Sequence, residues 1–181
     1  MILNRYWIDV LYRLSFENKR LAIIRGLPGG GKSLRTLQYT IDLSYGTKLI
    51  YSAPLRKLRD YWGNRFGMRV VRSRDEVCDA VKYCATRSDS IVDYLVECAK
   101  ICRGCSATCE FKEAFKEMLR ARSGVFAVTH KMLLISYLVS PKVFKNAILV
   151  IDEADELFQQ WTLITTKEKV EEMLRYGGKV E

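Results

Sequence analysis

The sequence predicts an α/β fold of three layers, in which helices cover both faces of a central, mainly parallel β-sheet. Short segments that are apolar throughout alternate with longer segments whose apolar residues recur at helical spacing. Continuously apolar strands are typical of a parallel sheet, because its crossover helices bury both faces. A length of 181 residues and a hydrophobic content of 49% suit one domain with a sizeable core.

Five strands are predicted from short apolar runs that end in glycine, proline or a polar residue. These residues end a strand because they favour turns or remove a backbone donor. We expect all five strands to join one sheet. They lie in RLAIIRG (20–26), KLIYSAP (48–54), MRVVRS (68–73), GVFAVTH (124–130) and AILVIDEAD (147–155).

Helices are predicted where apolar residues recur every three to four positions. The predicted helices cover residues 5–18, 34–46, 56–67, 111–124 and 131–139, and a helix-like, more acidic segment begins at Glu156. Residues 75–109 show no strand pattern and contain all six cysteines. We therefore predict a small cysteine-rich insertion at 75–109 within a main domain formed by residues 1–74 and 110–181.

A glycine-rich segment between the first predicted strand and the next helix matches a phosphate-binding pattern. Residues 26–33 read GLPGGGKS, which fits G-x-x-x-x-G-K-[ST] in the strand–loop–helix context that the pattern requires. Glycines let backbone N–H groups turn toward phosphate oxygens, and the helix N-terminus adds a favourable dipole. The residues predicted to bind Mg²⁺ and the β- and γ-phosphates of a nucleotide are Gly29, Gly30, Gly31, Lys32 and Ser33.

An acidic motif ends the last predicted strand, where ILVIDEAD places Asp152 and Glu153 after an apolar run. An acid at the carboxyl end of a strand beside the phosphate loop can hold Mg²⁺, and the next acid can activate a water molecule. Acidic residues also favour helix N-termini, which accounts for Asp155 and Glu156 but not for Asp152. The two motifs together predict a nucleoside triphosphate·Mg²⁺ site with Lys32, Asp152 and Glu153 as its catalytic residues.

The net charge of +9 is concentrated in one stretch, because residues 48–74 contain eight basic residues and a single acid, Asp60. Aromatic residues are interleaved there, namely Tyr51, Tyr61, Trp62 and Phe66. Basic groups neutralise phosphates and rings stack on bases, so the stretch predicts a surface for single-stranded nucleic acid. A solvated basic face over core aromatics is the other interpretation. The candidate phosphate-backbone contacts are Arg56, Lys57 and Arg59.

The N-terminal segment and the absence of a long apolar run bear on localisation. No apolar run approaches the length of a membrane span, so we expect no membrane partner. The start of the chain carries Asp9 and lacks a small-residue cleavage site, which is unlike a secretory signal. We therefore expect a reducing compartment, cytoplasmic or nuclear, where clustered cysteines bind metal more often than they form disulfides.

The cysteines predict a metal site formed by thiolates alone. Cys98, Cys102, Cys105 and Cys109 follow one another at spacings of x3, x2 and x3, and two more lie upstream at Cys78 and Cys84. Four thiolates can hold an iron–sulfur cluster or a zinc ion, and spacing does not separate these two. A set of incidental buried thiols is the third interpretation.

Four stretches resemble a known family: SRDEVC, which leads to Cys78; CEFKEAF, which begins at Cys109; GVFAVTHKMLL; and NAILVIDEADEL. Together with the phosphate loop, they make residues 23–157 similar to the first motor domain of the iron–sulfur helicases of superfamily 2, the XPD-like and DinG-like enzymes. The chain departs from the family at Ser33, where threonine is usual, and at Asp155, where the family has histidine. The segment YSAPLRKL matches the family's nucleic-acid-contacting motif only loosely.

This resemblance implies a RecA-like P-loop NTPase domain that binds ATP and single-stranded DNA. It also implies a [4Fe–4S] cluster held by Cys78, Cys102, Cys105 and Cys109, with Cys84 and Cys98 as the other candidates for the fourth ligand. The family's second motor domain would lie outside these residues, so we expect hydrolysis and unwinding to need that domain or a helicase partner. The competing hypotheses are a non-catalytic nucleic-acid- or partner-binding protein on the same lobe, and a zinc-containing P-loop NTPase.

Overall fold

The computed structural model describes residue 24 and residues 29–85, 91–105, 109–154 and 156. Several predictions lie outside these described residues. They are the helix at 5–18, the strand at 20–26 except for its residue 24, positions 26–28 of the phosphate loop, Asp155, and the helix-like segment beyond Glu156.

A four-stranded parallel sheet forms the centre of the described fold. Its strands are β1 (Lys48–Ala53), β2 (Arg69–Val70), β3 (Gly124–Thr129) and β4 (Ala147–Ile151), in the spatial order β2-β3-β1-β4. Every residue of β1 is buried, as expected of an apolar strand with a neighbour on each side. The prediction of a mixed α/β fold with a parallel sheet is confirmed.

Seven helices and one 3₁₀ turn connect the strands in the described part of the chain. The helices are α1 (Lys32–Leu43), α2 (Arg56–Arg65), α3 (Arg74–Val77), α4 (Asp79–Ala85), α5 (Ile91–Gly104), α6 (Glu110–Arg120) and α7 (His130–Val139), and the 3₁₀ turn spans Pro141–Phe144. The four helices predicted at 34–46, 56–67, 111–124 and 131–139 are present as α1, α2, α6 and α7.

Helices pack on both faces of the sheet, because successive side chains of a strand point to opposite sides. On one face Leu49 and Tyr51 of β1 pack with residues of α1 and α2, including Leu37 and Trp62. On the other face Ile50 packs with aromatic and methionine side chains of α6 and α7. The arrangement is compatible with a three-layer α/β fold, and no helix among the described residues is long and apolar enough to cross a membrane.

The cysteine-rich segment has its own small apolar cluster, separate from the two cores of the sheet. Val81 of α4 and Cys98 of α5 are fully buried against each other, with Cys78 and Ile101 partly buried around them. Helices α3, α4 and α5 thus form the segment for which the sequence showed no strand pattern. The division of the chain at 75–109 stays a prediction.

Candidate nucleotide site

The end of the glycine-rich loop shapes the start of α1. Gly29 and Gly31 have φ angles of 75° and 72°, in the left-handed region that glycine adopts without strain. Gly31 immediately precedes the helix, and no side chain caps the helix there. The first turn carries Lys32 and Ser33, both half-buried, and it contains no acid. This turn therefore presents backbone N–H groups and a positive dipole end, which suit an anion.

Ser33 and Asp152 meet directly, although 119 positions separate them in the sequence. The Ser33 hydroxyl donates a hydrogen bond to Asp152 Oδ1 at 2.7 Å. Asp152 follows β4 and extends its pairing with β1 by one step, since its N–H donates to the Ser52 carbonyl at 2.9 Å. The parallel sheet thus brings the two predicted motifs to one edge, at the carboxyl ends of the strands.

Tyr51 holds the second oxygen of the same carboxylate. Its hydroxyl donates to Asp152 Oδ2 at 3.0 Å, and the residue has no exposed surface. Burial, followed by the charge of Asp152, raises the pKa of Tyr51 far above its ordinary value, so the phenol stays a hydrogen-bond donor. Of the two interpretations of the aromatics in this stretch, base stacking and core packing, the burial of Tyr51 fits core packing, because no base can reach its ring.

A buried pair of Ser52 and His130 lies next to this site. Ser52 Oγ and His130 Nδ1 are 2.7 Å apart, and both residues are fully buried. Burial lowers the pKa of His130, an effect that the backbone of Glu153 and Asp152 and the charges of Asp152 and Glu156 only partly oppose. The imidazole is therefore neutral at neutral pH, and among the described residues its Nε2 has no hydrogen-bond partner.

Glu153 has an unusual backbone conformation for its residue type. Its φ of 51° lies in the left-handed region, and the residue is exposed at the sheet edge next to Asp152. Such a conformation costs a non-glycine residue about 1–3 kcal/mol and is concentrated at functional sites. The chain bends after β4, which leaves Asp152 half-buried and Glu153 exposed.

The sequence did not place Tyr51 or His130 in the nucleotide site. A usable signal was present, because Tyr51 and Ser52 are polar groups at the carboxyl end of an otherwise aliphatic strand. Ligand sites in open parallel sheets lie at that end of the strands. His130 was predicted as the end of a strand, whereas it begins α7 directly after β3.

Arg59 requires a correction, because the structure does not place it at the surface. Its side chain has no exposed area, and its guanidinium donates two hydrogen bonds to Glu76 at 2.9 and 2.7 Å and one to Asp60 at 2.8 Å. A guanidinium engaged in this way is not available to a phosphate backbone. Arg59 instead ties α2 to α3.

The other two basic candidates lie at the surface of α2. Arg56 is half-exposed and forms an ion pair with Asp75, while Lys57 is exposed and makes no ion pair within the described part of the chain. Tyr61 and Arg65 follow Lys57 at intervals of four, so the three share one exposed helix face. The Arg65 guanidinium donates to the Tyr61 hydroxyl at 2.7 Å.

Apart from Cys98, the cysteines lie at or near the ends of the helices in the insertion. Cys78 ends α3, Cys102 lies on α5, Cys105 follows it and Cys109 precedes α6, while Cys84 lies on α4 and Cys98 is buried. Lys112 donates to the Cys102 carbonyl at 3.2 Å, which ties the start of α6 to the end of α5. Within the described residues, no three cysteine, histidine or acidic side chains gather as a metal site. The thiolate ligand set stays a prediction.

Comparison of the chain with protein-family models, with curated proteins and with solved structures finds no match.

Proposed function

We propose that the chain is the nucleotide-binding lobe of a helicase motor, with a RecA-like fold of the XPD-like and DinG-like iron–sulfur type. The contact of 2.7 Å between Ser33 and Asp152 supports this proposal most strongly. A loop hydroxyl and a strand-end carboxylate must lie together if both are to serve the Mg²⁺ of a bound nucleotide. A glycine-rich turn without this function would not need a distant acid at that position.

Each residue of the site has a distinct role in this proposal. Lys32 binds the β- and γ-phosphates, and Ser33 and Asp152 supply oxygen ligands for Mg²⁺, which would neutralise phosphate charge. Tyr51 orients the Asp152 carboxylate through its hydrogen bond of 3.0 Å. Glu153 accepts the proton of the attacking water.

The exposed face of α2 supplies the surface for single-stranded DNA. Lys57 and Arg65 offer charge to the phosphate backbone, and Tyr61 offers an exposed ring for stacking. Helix α2 begins directly after β1, so Lys57 in its first turn lies nearest the carboxyl ends of the strands, and Tyr61 and Arg65 follow as the helix runs back along the sheet.

The cysteines form the third part of the proposal. Cys78, Cys102, Cys105 and Cys109 have the thiolate chemistry that a [4Fe–4S] cluster or a zinc ion takes. Such a centre would stabilise a segment whose own apolar cluster is small. Protein purified without oxygen should be brown and contain equal iron and acid-labile sulfide. Colourless protein with stoichiometric zinc would support a zinc-containing P-loop NTPase instead.

Nucleotide binding is tested by titrating ATP into the chain with Mg²⁺ and, separately, with EDTA. Lys32→Ala should weaken binding about tenfold or more in both, since a hydrogen bond to a charged group contributes about 1.5–3 kcal/mol. Ser33→Ala and Asp152→Asn should lose only the part of the ATP affinity that depends on Mg²⁺. The double variant should lose no more ATP affinity than either single variant.

Lys116→Ala is the matched control, because it removes an exposed lysine of α6. Its ATP affinity should equal that of the wild type. ATP affinity of Lys32→Ala equal to that of the wild type would overturn the proposed site.

Turnover separates the motor lobe from a protein that only binds. ATPase activity is measured with and without single-stranded DNA, using Glu153→Gln as the matched inactive variant. DNA-stimulated turnover that Glu153→Gln abolishes would exclude the non-catalytic hypothesis. Normal DNA affinity without turnover would favour that hypothesis and would leave hydrolysis to a second domain.

A further inference from the structure

A cavity of about 430 Å³ lies at the amino ends of the strands, away from the nucleotide site. The connections that lead into β1, β3 and β4 line it, and Lys48, the first residue of β1, forms part of its wall. Tyr51 and Ser52 lie toward the other end of the same strand, and a strand rises about 3.3 Å per residue. The cavity is therefore about 10 Å or more from the Asp152 site along β1.

The lining of this cavity is strongly basic. Four cationic side chains contribute to it, Lys48, Arg122, Lys142 and Lys145, and no acidic residue does in the part of the chain that the structure describes. None of the four forms an ion pair with a described carboxylate. Four like charges around one concave site repel one another unless an anion is bound.

Lys48 is the most unusual of the four because it is buried. Only 5% of the residue is exposed, and its ammonium group faces the backbone carbonyls of Leu119 and Val143, each at 3.4 Å. Burial without a carboxylate partner lowers the pKa of Lys48. Charged lysine is rarely buried without a counter-charge, since the desolvation is costly. A residue of this kind at the start of a core strand points to an anion that completes the site.

We propose that this cavity binds the phosphate group of a small phosphorylated molecule, with Lys48 at its base and Arg122, Lys142 and Lys145 around its mouth. Lysine and arginine together suit a compact oxyanion with several acceptor oxygens. The volume accommodates a phosphate together with part of the molecule that carries it. A nucleic-acid backbone instead calls for an extended row of charges, as on the exposed face of α2.

This inference does not depend on the proposed nucleotide site. The test therefore uses Lys32→Ala protein, in which the phosphate loop has lost its cation. Inorganic phosphate is titrated into the ¹⁵N-labelled chain at constant ionic strength, and backbone amide shifts are followed. Gly46 and Asn146 should shift in a saturable way, because both residues line the cavity.

The exposed cations supply the decisive variants, since replacing them does not disturb the core. Lys142→Gln with Lys145→Gln should weaken phosphate binding about tenfold, and Lys116→Gln should leave it unchanged. Lys48→Met should abolish phosphate binding if this variant folds. If it does not fold, the variant with Lys142→Gln and Lys145→Gln still decides the test. Absence of saturable shifts, or equal binding by the double variant and the control, would overturn the proposal. A short single-stranded oligonucleotide that shifts these amides when inorganic phosphate does not would also overturn it.

Discussion

The buried ion pair between Arg59 and Glu76 makes a quantitative prediction about stability in acid. The Glu76 side chain is 12% exposed and accepts both hydrogen bonds from a guanidinium that is not exposed at all. Burial alone would raise the pKa of Glu76, but hydrogen bonds from Arg59 and Ser73 outweigh it and lower the pKa from 4.5 to about 2. Because the folded pKa lies below the unfolded one, the stabilisation is present above pH 4.5 and is lost as the pH falls toward 2.

The difference between the two pKa values corresponds to about 3 kcal/mol of stability at pH 7, of which about 1.4 kcal/mol remains at pH 3. Urea unfolding followed by tryptophan fluorescence measures this loss directly. Between pH 7 and pH 3 the wild type should lose about 2 kcal/mol more than Glu76→Gln, since glutamine does not titrate. The other carboxylates are common to both proteins and cancel in the comparison.

Replacing the other partner tests the same pair at neutral pH. Arg59→Met removes both close hydrogen bonds from the buried Glu76 carboxylate and should destabilise the fold by about 3–5 kcal/mol. Arg56→Met is the comparison, because Arg56 is half-exposed and its longer contact with Glu76 (3.7 Å) and its ion pair with Asp75 should each contribute no more than about 1 kcal/mol. Equal stability of the two variants would refute the reasoning, as would a Glu76→Gln protein with the pH dependence of the wild type. Weaker DNA binding by Arg59→Met at unchanged stability would restore Arg59 as a nucleic-acid contact.

Three further variants test other parts of the molecule. Gly63→Ala places a Cβ 2.5 Å from Val70 Cγ2 and should lower the free energy of unfolding by about 1–3 kcal/mol; an unchanged urea midpoint would mean that α2 does not lie so close to the sheet. Tyr51→Phe removes the hydrogen bond to Asp152 and should weaken ATP binding with Mg²⁺ but not with EDTA; equal weakening in both would contradict the orienting role. Lys57→Gln should reduce the slope of log affinity for single-stranded DNA against log salt by about 0.7; the wild-type slope would remove Lys57 from the DNA surface.

The sequence predicts the parts of this molecule that depend on neighbouring residues. The apolar run that contains Tyr51 is a strand because each of its residues contributes to the same local pattern. Ser33 and Asp152 could be proposed as site residues because each lies in a short motif whose residue types alone indicate phosphate or metal binding. The sheet brings Ser33 and Asp152 to within 2.7 Å of each other. The prediction that both residues lie in one site did not require the sheet, because it followed from the expectation that both motifs bind the same nucleotide.

Arg59 shows where the reasoning from composition failed. Positions 57 and 59 of a helix differ by about 200° in direction, so both cannot face solvent on a helix packed against a sheet. Leu58, Trp62 and Phe66 mark the packed side of α2, and a count of basic residues carries no information on which side each one lies. The partner of Arg59 could not be predicted, because Glu76 lies 17 positions away across a strand and a loop.

The two edges of the sheet impose different requirements on a bound anion. At the carboxyl edge Asp152 and Glu153 repel phosphate, so a nucleotide there needs Lys32 and a divalent cation. At the amino edge Lys48 and its three basic neighbours meet no acid among the described residues, so a phosphate there needs no metal. EDTA should therefore weaken ATP binding while the shifts of Gly46 and Asn146 with inorganic phosphate stay the same. Loss of both responses in EDTA would mean that one metal-dependent site accounts for all the phosphate binding.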